Sequence, residues 1–434
     1  ALINGSLRDP AGKDGVASLT LSMLLRGTKR REAKEFHRAL DALGAEISLG
    51  KYKESMRIYG TVLADKLPEF MDLLDEAITE PAFAPEEFKK LKEQLHSSFM
   101  DELGSDDDIA DRRFQEQLLW GNPYGRMTSG SLETLPNLQL EDLQAFHQTY
   151  FRQGDFIMGA SGGFNKKFLE RRLKELLAKL PGGSAGRLEA PAPVFKPSRN
   201  LLMLDKPGRT QGQIIVGAPG VSFEDKDYFS LLIANHVFGG GSFSARLMKE
   251  VREKRGWSYG AYSFYRSGRK PLYFAMQSTP SNKDTIPALN LMVELMEDYA
   301  KNGISKEEFA FAKKSLVNQS AFLQDTVRKR LDNKITEEVL KLPKGFYDKY
   351  RDRLMGLTHA QVQAAIKRKV DPSRLFTVIL GDADALKSDI GTLKGYTKIW
   401  RRKFDEAPTD LSALNAMILS PAGKPRKEIS KAKG

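Results

Sequence analysis

Cysteine is absent from the 434 residues, which excludes disulfides, thiolate metal ligands and a cysteine nucleophile together. Histidine is scarce. The five present, His37, His96, His147, His236 and His359, are so far apart along the chain that no pair has the helical spacing of a local metal site. Long apolar runs are missing too. Stretches such as Leu375 to Leu380 are strand-sized, well below the roughly 20 residues that span a bilayer, so no membrane span is expected. No basic stretch leading into an apolar one follows Ala1, a pattern that a processed or trimmed chain also gives, so compartment is not read from this end.

What is present is ample core material. With 41% hydrophobic and 29% charged residues, the chain reads as a soluble globular protein, too long for one core and expected to form two or more domains. The net charge of +12 is spread along the chain among Asp and Glu. Only Gly423 to Gly434 is locally basic, with Lys424, Arg426, Lys427, Lys431 and Lys433. Its Pro, Gly and Lys content reads as a solvated end, and no nucleic-acid partner is expected.

The chain resembles itself at a domain-sized spacing. Phe83-Ala84-Pro85-Glu86-Glu87-Phe88, followed by Lys92 and Leu95, recurs as Ile304-Ser305-Lys306-Glu307-Glu308-Phe309, followed by Lys313 and Leu316. Pro85 and Ser305 each open a helix with carboxylates in its first turn, where the helix dipole favours them. Further on, Leu138, Leu143, Gln144 and Ala145 precede Phe156 to Met158, as Leu357, Val362, Gln363 and Ala364 precede Leu375 to Thr377. Each copy reads as helix, turn and strand, closing at Gly162 and Gly381. Between the copies, Pro181 to Gly186 with Pro191, Pro193 and Pro197 has linker chemistry. The division expected is an N-terminal domain over 1–181, a linker over 182–198 and a C-terminal domain over 199–434. Strands such as Gln213 to Gly217 and Tyr273 to Gln277 alternate with amphipathic helices such as Ile286 to Tyr299, which indicates an α+β chain.

The segment Gly15-Val16-Ala17-Ser18-Leu19-Thr20-Leu21-Ser22-Met23-Leu24-Leu25-Arg26-Gly27-Thr28 reads by itself as an apolar packing helix. It also resembles the active-site helix of the inverzincins, the pitrilysin, insulin-degrading and mitochondrial processing peptidase family. In catalytic members that helix reads G-x-A-H-F-L-E-H-M-x-F-K-G-T, with two histidines holding zinc and a glutamate acting on its water. Here Gly15, Ala17, Met23, Gly27 and Thr28 are retained, while Ser18, Leu21 and Ser22 stand at the histidine, glutamate and histidine positions. The family's third ligand, a glutamate on a later helix, falls near Ser98, Phe99 or Met100, none of them acidic. The resemblance thus implies a degenerate site and no metal or other cofactor in this chain.

In the second half, Phe238-Gly239-Gly240-Gly241-Ser242-Phe243-Ser244-Ala245-Arg246-Leu247 leads to Val251-Arg252-Glu253-Lys254-Arg255-Gly256-Trp257-Ser258-Tyr259. No G-K-[ST] follows the glycines, so this is not a phosphate loop. Taken alone, Arg252 reads as one surface charge among several and Tyr259 as a strand aromatic. The stretch is nevertheless similar to the family's C-terminal signature, a glycine-rich turn followed by R-E-K-x-G-x-x-Y. The resemblance implies that Gly239, Gly240, Gly241 and Ser242 line the substrate, and that Arg252 and Tyr259 contact the peptide in a shared site. Guanidinium and phenol can donate to the charge that develops on a carbonyl under attack.

Over about Leu7 to Asp382 the resemblance implies two homologous α+β domains, each a mostly antiparallel sheet packed with helices, forming a clamshell half like that of the processing peptidases. It implies the noncatalytic subunit of a bacterial two-subunit enzyme. A homologous partner bearing the HxxEH motif would supply zinc and the base, and the substrate would be a peptide or unfolded protein. The chain alone would not cut peptides. The alternative is a structural or peptide-binding homologue, of the respiratory-complex core or presequence-recognition type, without a catalytic role. The bacterial periplasm is the expected compartment, with the cytoplasm as the other possibility.

Overall fold

The computed structural model describes residues 1–419 and 425–426. Two compact units make up the fold. The first comprises Ala1–Asp101, Arg126–Ala190 and Gln324–Lys344; the second comprises Glu102–Gly125, Pro191–Leu323 and the described residues from Gly345 onward. Neither unit is a single contiguous stretch, because each half of the sequence contributes one helix to the unit built mainly by the other half. Residues 182–197, where a linker is expected, contain no helix or strand.

In the first unit, strands β1 (Glu46–Lys51) and β2 (Met56–Thr61) form an antiparallel hairpin with Leu49 opposite Ile58. Leu2 bridges antiparallel to both Met56 and Phe156. The expected strand from Phe156 to Met158 is a single bridge at Phe156, beside which Ala1 and Ile157 exchange backbone hydrogen bonds. Beyond Leu2, the β2 side and the 156–163 side enclose an apolar cavity of about 460 Å3 lined by Ile58, Phe70, Leu74, Met158, Leu331 and Ile335. The helix Val327–Leu340, started by Thr326 Oγ1 accepting from the Lys329 amide, lies along this region, and Arg57 donates to its Thr336 hydroxyl at 2.9 Å. The core of the unit surrounds the helix Val16–Met23, whose Val16, Ala17, Leu19, Leu21 and Met23 are all buried with Leu143 and Phe146 of the helix Leu140–Tyr150.

The second unit is built on an eight-stranded sheet. Its strands are β3 (Ser198–Asp205), β4 (Gln213–Pro219), β5 (Ala261–Ser267), β6 (Pro271–Ser278), β7 (Arg374–Gly381), β8 (Lys398–Lys403), β9 (Met417–Leu419) and β10 (Pro425–Arg426). Their order is β10-β9-β8-β3-β7-β4-β6-β5, with β3 parallel to β7 and β8 and every other pair antiparallel. Leu201 to Leu204, Ile214 to Val216 and Val378 to Leu380 are buried without alternation, the pattern of strands covered on both faces. The helix Asn282–Asn302 buries Ile286, Leu289, Met292, Val293 and Met296 at helical spacing. The helix Asp106–Leu118 packs on β4 and β7. Three aspartates occupy its first turn, and Phe114 packs edge-on against Tyr273 with ring centroids 5.4 Å apart. A Cβ at Gly217 would collide with Phe114, so that glycine fixes the closeness of helix and sheet. Of the basic tail, only the backbone of Pro425 and Arg426 is described, and the rest lies outside the described residues.

The duplication extends to individual side chains. Lys92 sits over the Phe88 ring at 5.5 Å and donates to the Leu138 carbonyl at 3.0 Å. Lys313 sits over the Phe309 ring at 5.6 Å and donates to the Leu357 carbonyl at 2.8 Å. These are the residues that align between the two copies of the sequence. The two units are α+β domains of one type, each with antiparallel pairing packed against helices. Among the described residues, no helix is long and apolar enough to cross a membrane.

Candidate functional site

The helix carrying the degenerate motif is set in place by the turn before it. The Asp9 carboxylate accepts from the Gly15 and Ala17 amides at 2.8 Å each, satisfying donors that a helix start leaves open. Gly15 adopts a φ of 110°, which a side chain would disfavour. Arg126 donates to the carbonyls of Asp9 and Leu7 and pairs with Asp14 at 3.2 Å. Burial pushes the Asp9 carboxyl up to about 7, against the lowering effect of its two amide bonds. Since the folded chain then holds this proton more tightly than the unfolded one, whose carboxyl titrates at 3.8, Asp9's contribution to stability falls as pH rises from 3.8 towards 7. Urea titrations across that range are expected to show the decline, and Asp9→Asn is expected to flatten it.

On the helix itself, Ser18 is 2% exposed and its hydroxyl has no hydrogen-bond partner among the described residues. Leu21 is core, and the Ser22 hydroxyl donates to the Ser18 carbonyl at 3.1 Å. At the third ligand position, on the helix Pro85–Glu102, Ser98 and Met100 are exposed and Phe99 is buried. Two hydroxyls and an isobutyl group give zinc neither a nitrogen nor a carboxylate donor. These residues do not fit the metal, and no group of three or more His, Cys, Asp or Glu among the described residues could hold one. Two of the histidines have structural partners: His147 Nε2 bonds the Ile78 carbonyl at 2.9 Å and His359 Nε2 the Ile304 carbonyl at 2.7 Å.

The retained motif lies in the second unit. His236–Gly240 forms a π-helical turn, and Ser242–Ser244 a short 3-10 turn. A Cβ on Gly239 would collide with the Ser263 hydroxyl on β5, and one on Gly241 with the His236 carbonyl. Gly239 therefore lets the segment lie directly on β5, and Gly241 lets it turn tightly on itself. Ser263 and Asn235 lock it there: the serine hydroxyl donates to Asn235 Oδ1 at 2.6 Å, and Asn235 Nδ2 donates to the Ser263 carbonyl at 3.2 Å. Arg246 follows, donating through Nε and Nη2 to Glu308 at 2.8 and 2.6 Å. That fork holds the Glu308 carboxyl below the usual range.

Among the arginines after this turn, Arg252 stands apart. Lys254 and Arg255 both pair with Glu250, at 2.6 and 2.8 Å, and Arg246 is committed to Glu308. Arg252 has no ion pair or hydrogen bond among the described residues, and its guanidinium lies over the Phe243 ring, 5.0 Å from the centroid. Tyr259 is 86% exposed. Its loop is pinned on both sides by Ser258, whose hydroxyl donates to the Gly260 carbonyl at 2.9 Å and accepts from the Thr279 amide at 3.2 Å. A free guanidinium and a free phenol, both on braced backbone, can donate to carbonyls of another chain. Three participants escaped the sequence reading: Asp9, the Asn235–Ser263 lock and Phe243.

Residues 3–128 match the family model described as Insulinase (Peptidase family M16), and residues 137–316 match the one described as Peptidase M16 inactive domain. The chain belongs to the M16 peptidase family. It is 24% identical over 383 residues to the Non-peptidase homolog YmxG of Helicobacter pylori, covering 87% of each chain. It is also 24% identical over 336 residues to an uncharacterized zinc protease of Streptomyces coelicolor, covering 74% of this chain and 71% of that one. The crystal structure of a peptidase M16 inactive domain from Pseudomonas fluorescens superposes with a TM-score of 0.80 at 24% identity, covering 88% of this chain and 90% of that one. A protease from Helicobacter pylori superposes at 0.77 and 17% identity, covering 88% and 92%. These likenesses establish the M16 fold for the chain.

Proposed function

We propose that this M16 chain is the non-zinc-binding subunit of a two-chain metallopeptidase. It forms part of the substrate chamber and presents Arg252 and Tyr259 to the peptide, while a homologous HxxEH-bearing subunit supplies the zinc site. The observation that carries this reading is the contrast between the two motifs. Ser18, Leu21 and Ser22 offer a metal neither a nitrogen nor a carboxylate, whereas Arg252, alone among the arginines of its motif, is left without a carboxylate among the described residues. The name non-peptidase homolog given to the Helicobacter pylori relative supports a chain that does not cut peptides alone.

The chemistry assigned to this chain is binding and charge stabilisation. An extended peptide laid across the Arg252 and Tyr259 donors would have a carbonyl fixed and polarised, with donors already in place as negative charge develops on its oxygen. Peptide cleavage and bound zinc should be measured for the chain alone, for an HxxEH sibling alone and for the two together. The chain alone is expected to show neither activity nor stoichiometric zinc, and the mixture to be active with zinc in the sibling. Cleavage or one equivalent of zinc in the isolated chain would overturn the proposal.

A further inference from the structure

We infer that Phe243 is the positioning residue for Arg252, holding its guanidinium by one face so that the N–H edge stays free for a peptide. The inference rests on the reading of Arg252 as a peptide contact and adds how that contact is prepared. Phe243 is 59% exposed, a large apolar side chain kept in water at the end of a braced turn. Its place is set by the backbone on both sides. Ser242 has a φ of 53°, in the left-handed region that a non-glycine residue rarely enters. The turn is closed by the Ser244 hydroxyl donating to the Gly241 carbonyl at 2.8 Å and by the Ala245 amide donating to the Ser242 carbonyl at 3.1 Å. Strained residues of this kind persist where the surroundings over-determine them, and they gather at binding sites.

The choice of an aromatic partner follows from the hydrogen bonds a guanidinium can make. A carboxylate beside Arg252 would take two of its in-plane N–H groups in a fork, as Glu308 takes those of Arg246. A ring attracts the cation through its face and uses none of them. Stacking on Phe243 therefore limits the arginine's rotamers and leaves its donors unspent. The neighbouring Arg255 shows the opposite arrangement: it also lies over a ring, Trp257 at 5.4 Å, yet its donors are taken by Glu250.

Two measurements test the inference. In the isolated chain, the rate of phenylglyoxal modification at Arg252 is followed by peptide mass mapping, with Arg255 as internal reference. Phe243→Ala is expected to raise the Arg252 rate about two- to fivefold, the range of an exposed cation–π contact, with Phe243→Trp restoring the original rate. An unchanged Arg252 rate would overturn the inference without any partner being present. In the assembled pair, Phe243→Ala is expected to lower kcat/KM by about two- to fivefold when Arg252 is present and to have no effect beside Arg252→Ala. Equal losses in both backgrounds would mean that Phe243 acts independently of Arg252, which also overturns the inference. If Arg252→Ala alone leaves turnover unchanged, the proposed function fails, while the labelling experiment still decides whether Phe243 holds the side chain.

Discussion

Arg252→Ala is expected to lower kcat of the assembled pair by about 100-fold, the cost typical of losing one donor to a developing oxyanion. The zinc content and the strength of assembly should not change. The reason lies in what surrounds the side chain. Arg252 makes no hydrogen bond or ion pair among the described residues, so its truncation leaves no buried carboxylate unpaired and no core void. Loss of activity would then report loss of contact with the peptide, not loss of fold. Arg252→Lys should recover only part of the rate, since an ammonium lacks the planar fork. Tyr259→Phe removes the phenolic hydroxyl of an 86% exposed side chain and should act in the same direction without affecting stability. Turnover on a quenched fluorescent peptide, with zinc measured on the same samples, provides the check. Unchanged kcat in Arg252→Ala would remove the arginine from the catalytic machinery.

Much of this site was legible because its signals are local. The glycine run, the arginine and the tyrosine lie within one short stretch, and the loss of zinc ligands is a change of residue type that needs no coordinates to see. The duplication was equally legible, down to Lys92 and Lys313, because a repeated fold repeats the residues that fix its turns. The exchange of helices was not. Asp106–Leu118 and Val327–Leu340 are helices capped locally by Ser105 and Thr326. Periodicity fixes which face of a helix is apolar but not which sheet covers it. The shortened strand at Phe156 has a related cause, since an apolar run specifies a strand only where a neighbour offers a ladder. The roles of Asp9 and Phe243 depend on contacts, with the Gly15 and Ala17 amides and with the Arg252 guanidinium, and no residue pattern announces them.

Restoring the missing ligands is expected to damage the fold before it yields an enzyme. Leu21 is 1% exposed in the core of the first unit, and Leu21→Glu would place a carboxyl there with neither zinc nor a cation as partner. An uncompensated buried charge costs about 3–5 kcal/mol. Ser18 is 2% exposed, so Ser18→His adds a ring to a filled site, an overpacking worth about 1–3 kcal/mol. Together the two changes approach the whole stability of an ordinary domain, roughly 5–15 kcal/mol. Urea midpoints should fall in the order wild type, Ser18→His, Leu21→Glu, with the triple variant including Ser22→His lowest, and the triple variant should take up no stoichiometric zinc because Ser98, Phe99 and Met100 supply no third ligand. A triple variant as stable as the wild type would instead describe a peptidase site only recently emptied. The burial of Leu21 argues against that history: the helix Val16–Met23 serves here as a packing element, and under the proposed function the peptide contacts are Arg252 and Tyr259 in the other unit.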